Sequence, residues 1–249
     1  MKYLGSKQRI AKYIVPIIQQ TIDETHANTF VEPFVGGCNV IDKIYCDHKI
    51  GIDKDKFLIA LLKHVQDGLP LYDEVTKDLY DKARKAYQQN DTSELSEWEI
   101  GCIGHLASYN GRFFEGGYAK PVYEHTPKGD RYRNYYEEGK QGLLKQAEKI
   151  PFKYIKFVCG DYKDYTYFEG AVIYCDPPYE GKKQYDKNLT IDHTEFWNWV
   201  RMMSEKNIVF VSELQAPDDF ECIWEQEISR TIKVKDKSKS LEKLFKKRG

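Results

Sequence analysis

Apolar positions at the start of the chain, Ile10, Tyr13, Ile14, Ile17 and Ile18, follow a helical period, with Ser6 placed to cap the helix and Pro16 to kink or break it. Thr29-Phe30-Val31 reads as a short strand stopped by Glu32-Pro33, followed by a Gly36-Gly37 turn and a helix over Asn39 to Tyr45. Ile50 to Asp53 is a second strand, and Phe57 to Val65 a second amphipathic helix. Strand, Gly turn, helix, strand, helix is the opening of an α/β, doubly wound, Rossmann-like sheet.

After Gly68 the pattern changes. Tyr72, Val75, Leu79, Ala83 and Tyr87 mark one long acidic helix, and Ser96-x-x-Glu99 fits a capping box opening another that runs to about Ser108. From Tyr109 to Gly139 the chain is rich in Gly, Tyr and Arg and has no clean period. Alternation returns at Tyr154 to Cys159, Ala171 to Cys175 reads as a buried strand, and His193 to Ser204 as a helix. Ile208 to Val211 is another buried strand, and Ile223 to Val234 an antiparallel edge. The simplest organisation is an α/β domain built from residues 1–68 and 151–249, interrupted by an insertion over 69–150.

Composition adds limits. The 249 residues are 41% hydrophobic and 31% charged, enough for a sizeable core and against disorder or low complexity. A net charge of −1 speaks against a generic nucleic-acid coat protein, yet the charge is unevenly spread. Residues 1–22 hold Lys2, Lys7, Arg9 and Lys12 and no acid, residues 64–100 nine acids against four bases, and residues 230–249 nine bases against Asp236 and Glu242. The basic tail reads either as a solvated end helix or as a phosphate contact. Six scattered cysteines, with no C-x-x-C pair and no Cys/His cluster at metal spacing, fit reduced thiols and no metal. No signal-peptide stretch and no run of membrane-spanning length is present, so the expectation is a soluble, cytoplasmic protein with no membrane partner.

Three strings carry chemistry. Asp176-Pro177-Pro178-Tyr179 follows directly on the apolar strand, where open parallel sheets bind their ligands. A carboxylate and a Pro carbonyl in a stiff turn offer two acceptors, and Tyr179 a flat surface, a set that suits an exocyclic amino group and its ring. The second string is Phe30 to Val40, whose Gly pair lets backbone approach a ligand while the next helix offers its N-terminus. Asp53, about twenty residues on, can accept from ribose hydroxyls or cap a helix. The third, Lys2-Tyr3-Leu4-Gly5-Ser6-Lys7, could hold a carboxylate by charge and backbone N–H or be a flexible start.

Together and in this order, the strings resemble the Dam-type, alpha-group DNA adenine-N6 methyltransferases over nearly the whole chain, with the look of a phage or prophage member. The resemblance implies a Rossmann-like methyltransferase sheet with an inserted, mainly helical target-recognition domain, S-adenosylmethionine as cofactor and double-stranded DNA as partner. It implies cofactor contacts from Tyr3, Gly5, Ser6, Lys7, Pro33, Phe34, Gly36, Asp53, Asp161, Tyr162 and Asp176, with Lys7 on the methionine carboxylate. Asp176, Pro177, Pro178 and Tyr179 would hold a flipped-out adenine. Tyr109 and Asn110 resemble the family's Tyr-Asn-Gly recognition element, with Arg112 beside it, and Arg131 and Arg133 are phosphate or base contacts or ordinary surface. After Asn110-Gly111 the sequence departs from GATC-methylating members, so a GATC site is not implied. No Pro-Cys string of cytosine-C5 enzymes occurs, and Cys175 reads as a packed strand residue. The alternatives are a cytosine-N4 or RNA amino-methyltransferase, and an inert DNA-binding homologue. The expected working unit is a monomer, with a dimer on DNA open.

Overall fold

The computed structural model describes Met1 and residues 5–126, 129–180, 191–229 and 239–249. The main sheet is built from β1 (Thr29–Glu32), β2 (His48–Asp53), β5 (Ile155–Cys159), β6 (Val172–Cys175), β7 (Ile208–Ser212), β8 (Phe220–Ser229) and β9 (Lys239–Lys247). A separate hairpin pairs β3 (Val122–Thr126) with β4 (Gly129–Arg133). Spatial order in the sheet is β5-β2-β1-β6-β7-β9-β8, the first five parallel and β9 antiparallel to both its neighbours. The chain runs outward from β1 to β2 and β5, then returns to β1's other side with β6. The switch point, where such sheets bind ligands, therefore lies between the carboxyl ends of β1 and β6.

Each central strand buries alternate residues on opposite faces. Phe30, Val172, Tyr174, Phe210 and Leu244 join one core, shared with the helices α1 (Ala11–Thr25), α2 (Lys56–Gln66), α3 (Lys77–Gln89), α4 (Glu97–Leu106) and α5 (Tyr135–Ala147). Val31, Ile173, Cys175, Val209, Val211 and Phe245 join the other, under α7 (His193–Met203). A short α6 (Ile150–Lys153) leads into β5. The helices of residues 69–150 thus share one continuous core with α1 and α2.

Several expectations need correction. Ser6 caps only a 3-10 turn, Lys7–Arg9, and α1 starts at Ala11 and continues through Pro16. Burial of Ile14, Ile18 and Ile22, worth about 1.5–3 kcal/mol each, outweighs a proline cost of about 3 kcal/mol. Between Asn39 and Tyr45 there is no α-helix but one 3-10 turn, Ile41–Lys43, because the buried Glu32 carboxylate accepts from Ile41 N at 2.9 Å and Cys38 is left-handed (φ 56). The helix expected from Tyr72 begins at Lys77, capped by the Thr76 hydroxyl, so Tyr72 and Val75 precede it, and it is not acidic: Asp78 and Asp81 stand against Lys77, Lys82, Arg84 and Lys85. The capping box at Ser96 and Glu99 is present. The stretch without a period, Tyr109 to Gly139, contains the β3–β4 hairpin and the first turn of α5.

The basic tail is not an end helix: residues 239–247 form an interior strand with Leu244 and Phe245 buried. Opposite its lysines, β8 sets acids, with Glu221 facing Lys246 and Glu225 facing Lys243. The edge reading of β8 holds, although the strand starts at Phe220; residues 230–238 lie outside the described residues.

Candidate active site

At the carboxyl edge of the sheet, each parallel strand ends on a residue able to carry chemistry. Glu32 ends β1 and Pro33, Phe34 and Gly36 follow it, Asp53 ends β2, Asp161 follows β5, Asp176 to Tyr179 follow β6, and Glu213 follows β7. β9 runs the opposite way with Leu244 level with Ser212, so Glu242 projects past the carboxyl end of β7.

The loop after β1 is fixed by Val35 N donating to Ile52 O at 2.9 Å and Gly36 N donating to Asp53 Oδ2 at 3.0 Å. Gly36 takes a positive φ of 45° that a side chain would strain. No helix follows this loop, so the expected helix N-terminus does not face the site. Asp53 Oδ1 accepts from Asp55 N, and burial pushes the Asp53 carboxyl up to about 6. The helix-capping alternative for Asp53 is corrected, since Asp55 caps α2 by accepting from Phe57 N and Leu58 N. His105, from α4, donates Nε2–H to Asp55 Oδ2 at 3.1 Å.

Gly160 N donates to Asp53 O, bringing Asp161 beside the end of β2, where it pairs with Lys54 at 2.9 Å and accepts from Lys163 N. Tyr162 is buried, its ring 5.2 Å from both Phe34 and Trp199. Burial pushes its phenol up, and its hydroxyl has no hydrogen-bond partner among the described residues. A half-buried aromatic, two carboxylates on neighbouring strand ends and an unsatisfied hydroxyl fit a nucleoside with ribose hydroxyls and a polar ring edge.

On the β6 side four side chains converge. Lys7 Nζ lies 2.8 Å from Asp176 Oδ1, 3.8 Å from Glu242 Oε2 and 4.5 Å from the centre of the Tyr179 ring. The Tyr179 hydroxyl donates to Glu242 Oε2 at 2.7 Å, and the phenol is pushed far up by burial and the neighbouring carboxylates. Glu213 accepts from Glu180 N at 3.2 Å and from Leu214 N at 2.7 Å, tying the end of the Pro-Pro-Tyr turn to β7. Gly5 and Ser6 belong to the same N-terminal turn; Asn39 donates to Ser6 Oγ at 2.9 Å, holding it against the β1 loop. Tyr3 lies outside the described residues. Cys175 is fully buried with its thiol pushed well up, as a packed residue would be.

The recognition candidates gather elsewhere. Asn110, exposed and left-handed (φ 58), lines a cavity of about 290 Å³ with Arg9, His105, Arg133 and Tyr135. Tyr109 packs 5.6 Å from Tyr135, and the Arg133 guanidinium lies over that ring. The arginines are engaged within the protein: Arg131 and Arg133 share Glu138, Arg133 also meets Glu124, and Arg112 lies 3.9 Å from Glu115.

Sequence reasoning missed Glu32, Glu213 and Glu242. Glu213 stood in the same context as Asp176, directly after a buried strand, and the strand-end rule would have found it. Burial pushes the Glu32 carboxyl well above its ordinary range.

A seven-stranded sheet of this order, with an Asp-Pro-Pro-Tyr turn at its switch point and carboxylates at the neighbouring strand ends, fits a methyltransferase architecture. The chain belongs to the family described as D12 class N6 adenine-specific DNA methyltransferase, which its residues 3–211 match. It is also similar to the Type II methyltransferase M.MjaIII of Methanocaldococcus jannaschii, 25% identical over 209 residues covering 72% of this chain and 68% of that protein. Membership makes the chemistry methyl transfer to adenine N6 in DNA and calls for a methyl donor. Among the described residues no helix is long and apolar enough to cross a membrane, and no group of three or more candidate metal ligands occurs.

Proposed function

We propose that this chain transfers a methyl group from S-adenosylmethionine to N6 of an adenine flipped out of double-stranded DNA, with Asp176, Pro177, Pro178 and Tyr179 holding the base. The observation that carries the reading is the position of Lys7. Its ammonium already donates to Asp176 Oδ1 while lying over the Tyr179 ring. A nitrogen donor against that carboxylate and over that ring is what an adenine amino group requires. Cofactor binding would draw Lys7 off Asp176 to the methionine carboxylate, leaving its place to the adenine amino group.

A stacked base cannot present N6, so it must leave the duplex. S-adenosylmethionine supplies an electrophilic methyl on sulfonium. Asp53 would accept from the cofactor's ribose hydroxyls, Asp161 would face the amino group of the cofactor's own adenine, and Pro33, Phe34, Gly36 and Tyr162 would line its nucleoside. Gly5 and Ser6 lie at the methionine end with Tyr3 and Lys7. The Asp176 carboxylate and the Pro177 carbonyl accept the N6 hydrogens, directing the nitrogen lone pair in line with the methyl. The methyl would pass from sulfonium to N6 with loss of the thioether S-adenosylhomocysteine, and the N6 proton would be released to water past the Asp176 carboxylate.

Residues 69–150 serve as the target-recognition insertion, with Tyr109, Asn110 and Arg112 facing DNA and Arg131 and Arg133 placed by their carboxylate partners. The protein acts as a cytoplasmic monomer, and a restriction-modification role is consistent with the Type II relative. The test is tritiated methyl transfer to DNA from a methylation-deficient host, followed by sequencing with base-modification detection. Label confined to N6-methyladenine in one sequence context supports the reading. No incorporation, or label on cytosine, refutes it.

The raised Asp53 carboxyl makes cofactor binding pH-dependent. Protonation removes an acceptor from the ribose, so affinity for S-adenosylmethionine should fall below the value of about 6, approaching about tenfold per pH unit. Calorimetric titration from pH 5 to 8 checks this, and a flat affinity would contradict it. The effect on folding has the opposite sign. Because the folded value is raised from 3.8, the ligand-free protein gains stability from this group below about pH 4 and loses that gain as pH rises through about 6.

A further inference from the structure

We infer that Glu242, on the C-terminal strand beyond the family match, is a positioning residue for the target-base pocket. This inference rests on the reading that Asp176 to Tyr179 hold the flipped adenine. Glu242 is one of only two acids in the basic last twenty residues, and β9 carries it between β7 and β8 to the active edge of the sheet. There its Oε2 accepts the Tyr179 hydroxyl at 2.7 Å and lies 3.8 Å from the Lys7 ammonium. Both Glu242 and Tyr179 are largely buried, with side-chain exposure of 16% for Glu242 and residue exposure of 8% for Tyr179.

A tyrosine on a turn can rotate about two side-chain bonds, and two prolines stiffen only the backbone before it. A charge-assisted hydrogen bond to the far end of the ring removes that freedom, while Lys7 restrains one face. The ring is then set before the base arrives, so the entropy of ordering it is not charged to the methyl-transfer step. Glu242 touches neither substrate nor cofactor in this account; it acts through Tyr179.

The test compares full-length Glu242→Ala, Glu242→Gln, Tyr179→Phe and the Glu242→Ala/Tyr179→Phe double variant in steady-state methylation of unmethylated plasmid DNA. Glu242→Ala should lower kcat about 10- to 100-fold while KM for S-adenosylmethionine stays within about twofold. Glu242→Gln, whose amide oxygen still accepts the phenol, should recover most of that loss. Tyr179→Phe should lose a similar factor, and adding Glu242→Ala to it should change kcat by less than about twofold, because both remove one hydrogen bond. Full kcat in Glu242→Ala or in Tyr179→Phe, multiplicative losses in the double variant, or Glu242→Gln as poor as Glu242→Ala would overturn the inference. If Glu242→Ala does not fold, Tyr179→Phe and Glu242→Gln carry the decision alone. Failure of the underlying reading looks different: there Asp176→Ala methylates as well as the wild type.

Discussion

Asp176→Ala should abolish methylation, lowering kcat by about 1,000-fold or more, the range seen when an enzyme loses a group that stabilises developing charge. The carboxylate accepts from N6 as that nitrogen becomes more acidic during attack, so its interaction is stronger in the transition state than in the ground state. Loss should therefore fall on kcat rather than on KM for DNA. Asp176→Asn is the sharper variant, because its amide NH₂ can face the N6 donors and a neutral oxygen accepts more weakly; it should stay at least about 100-fold down. A structural explanation of the loss can be separated by melting. Asp176→Ala leaves the largely buried Lys7 with Glu242 at 3.8 Å as its remaining described carboxylate. Stability should drop by less than the about 3–5 kcal/mol typical of orphaning one member of a buried pair. A folded Asp176→Asn protein with wild-type kcat would sink the assigned role.

The sheet was legible wherever strands are doubly covered. Ala171 to Cys175 and Ile208 to Val211 are short apolar runs because both faces are buried, and β6 and β7 lie there almost to the residue. β9 was not legible. Lys243, Lys246 and Lys247 answer acids or solvent at the sheet's antiparallel end, so its apolar content shrinks to Leu241, Leu244 and Phe245 and no period of two survives. The helix expected over Asn39 to Tyr45 failed because a long-range contact, Glu32 to Ile41 N, decides that segment.

The candidate site divides along the same line. Asp53 and Asp176 were found because each stands at the end of a recognisable strand, a local property of sequence, whereas Asp161 came only with the family resemblance. Lys7 was found by its motif, but its pairing with Asp176 spans most of the chain and cannot be read locally. Glu242 stayed hidden with its strand. The arginines of the recognition segment were visible as basic residues, whereas their neutralisation by Glu124 and Glu138 depends on the hairpin folding back on α5.

Gly101→Val should cost more than about 3 kcal/mol and lower Tm by roughly 6 °C or more for a chain of this size. Gly101 sits where α4 crosses α2, and a Cβ there would lie 2.1 Å from the Phe57 carbonyl oxygen and 2.8 Å from its carbon. Those atoms are helix backbone and cannot turn aside, so the two helices must part by about 1 Å to restore ordinary contact. Even Gly101→Ala should destabilise, since its gain in helix propensity, about 1 kcal/mol, is smaller than an overpacking cost of up to about 3 kcal/mol. Gly142 in α5 gives the control: nothing lies within 4 Å of its Cβ position, so Gly142→Ala should hold or raise Tm. The damage at Gly101 should also reach Asp53, the proposed ribose acceptor, because α2 begins at its Asp55 cap, two residues beyond Asp53, and His105 on α4 is hydrogen-bonded to that cap. Weaker S-adenosylmethionine binding should therefore accompany the loss of stability in Gly101→Ala. Wild-type melting in Gly101→Val would show that the helices have room to part, and would dissolve the link between the insertion and the cofactor side of the sheet.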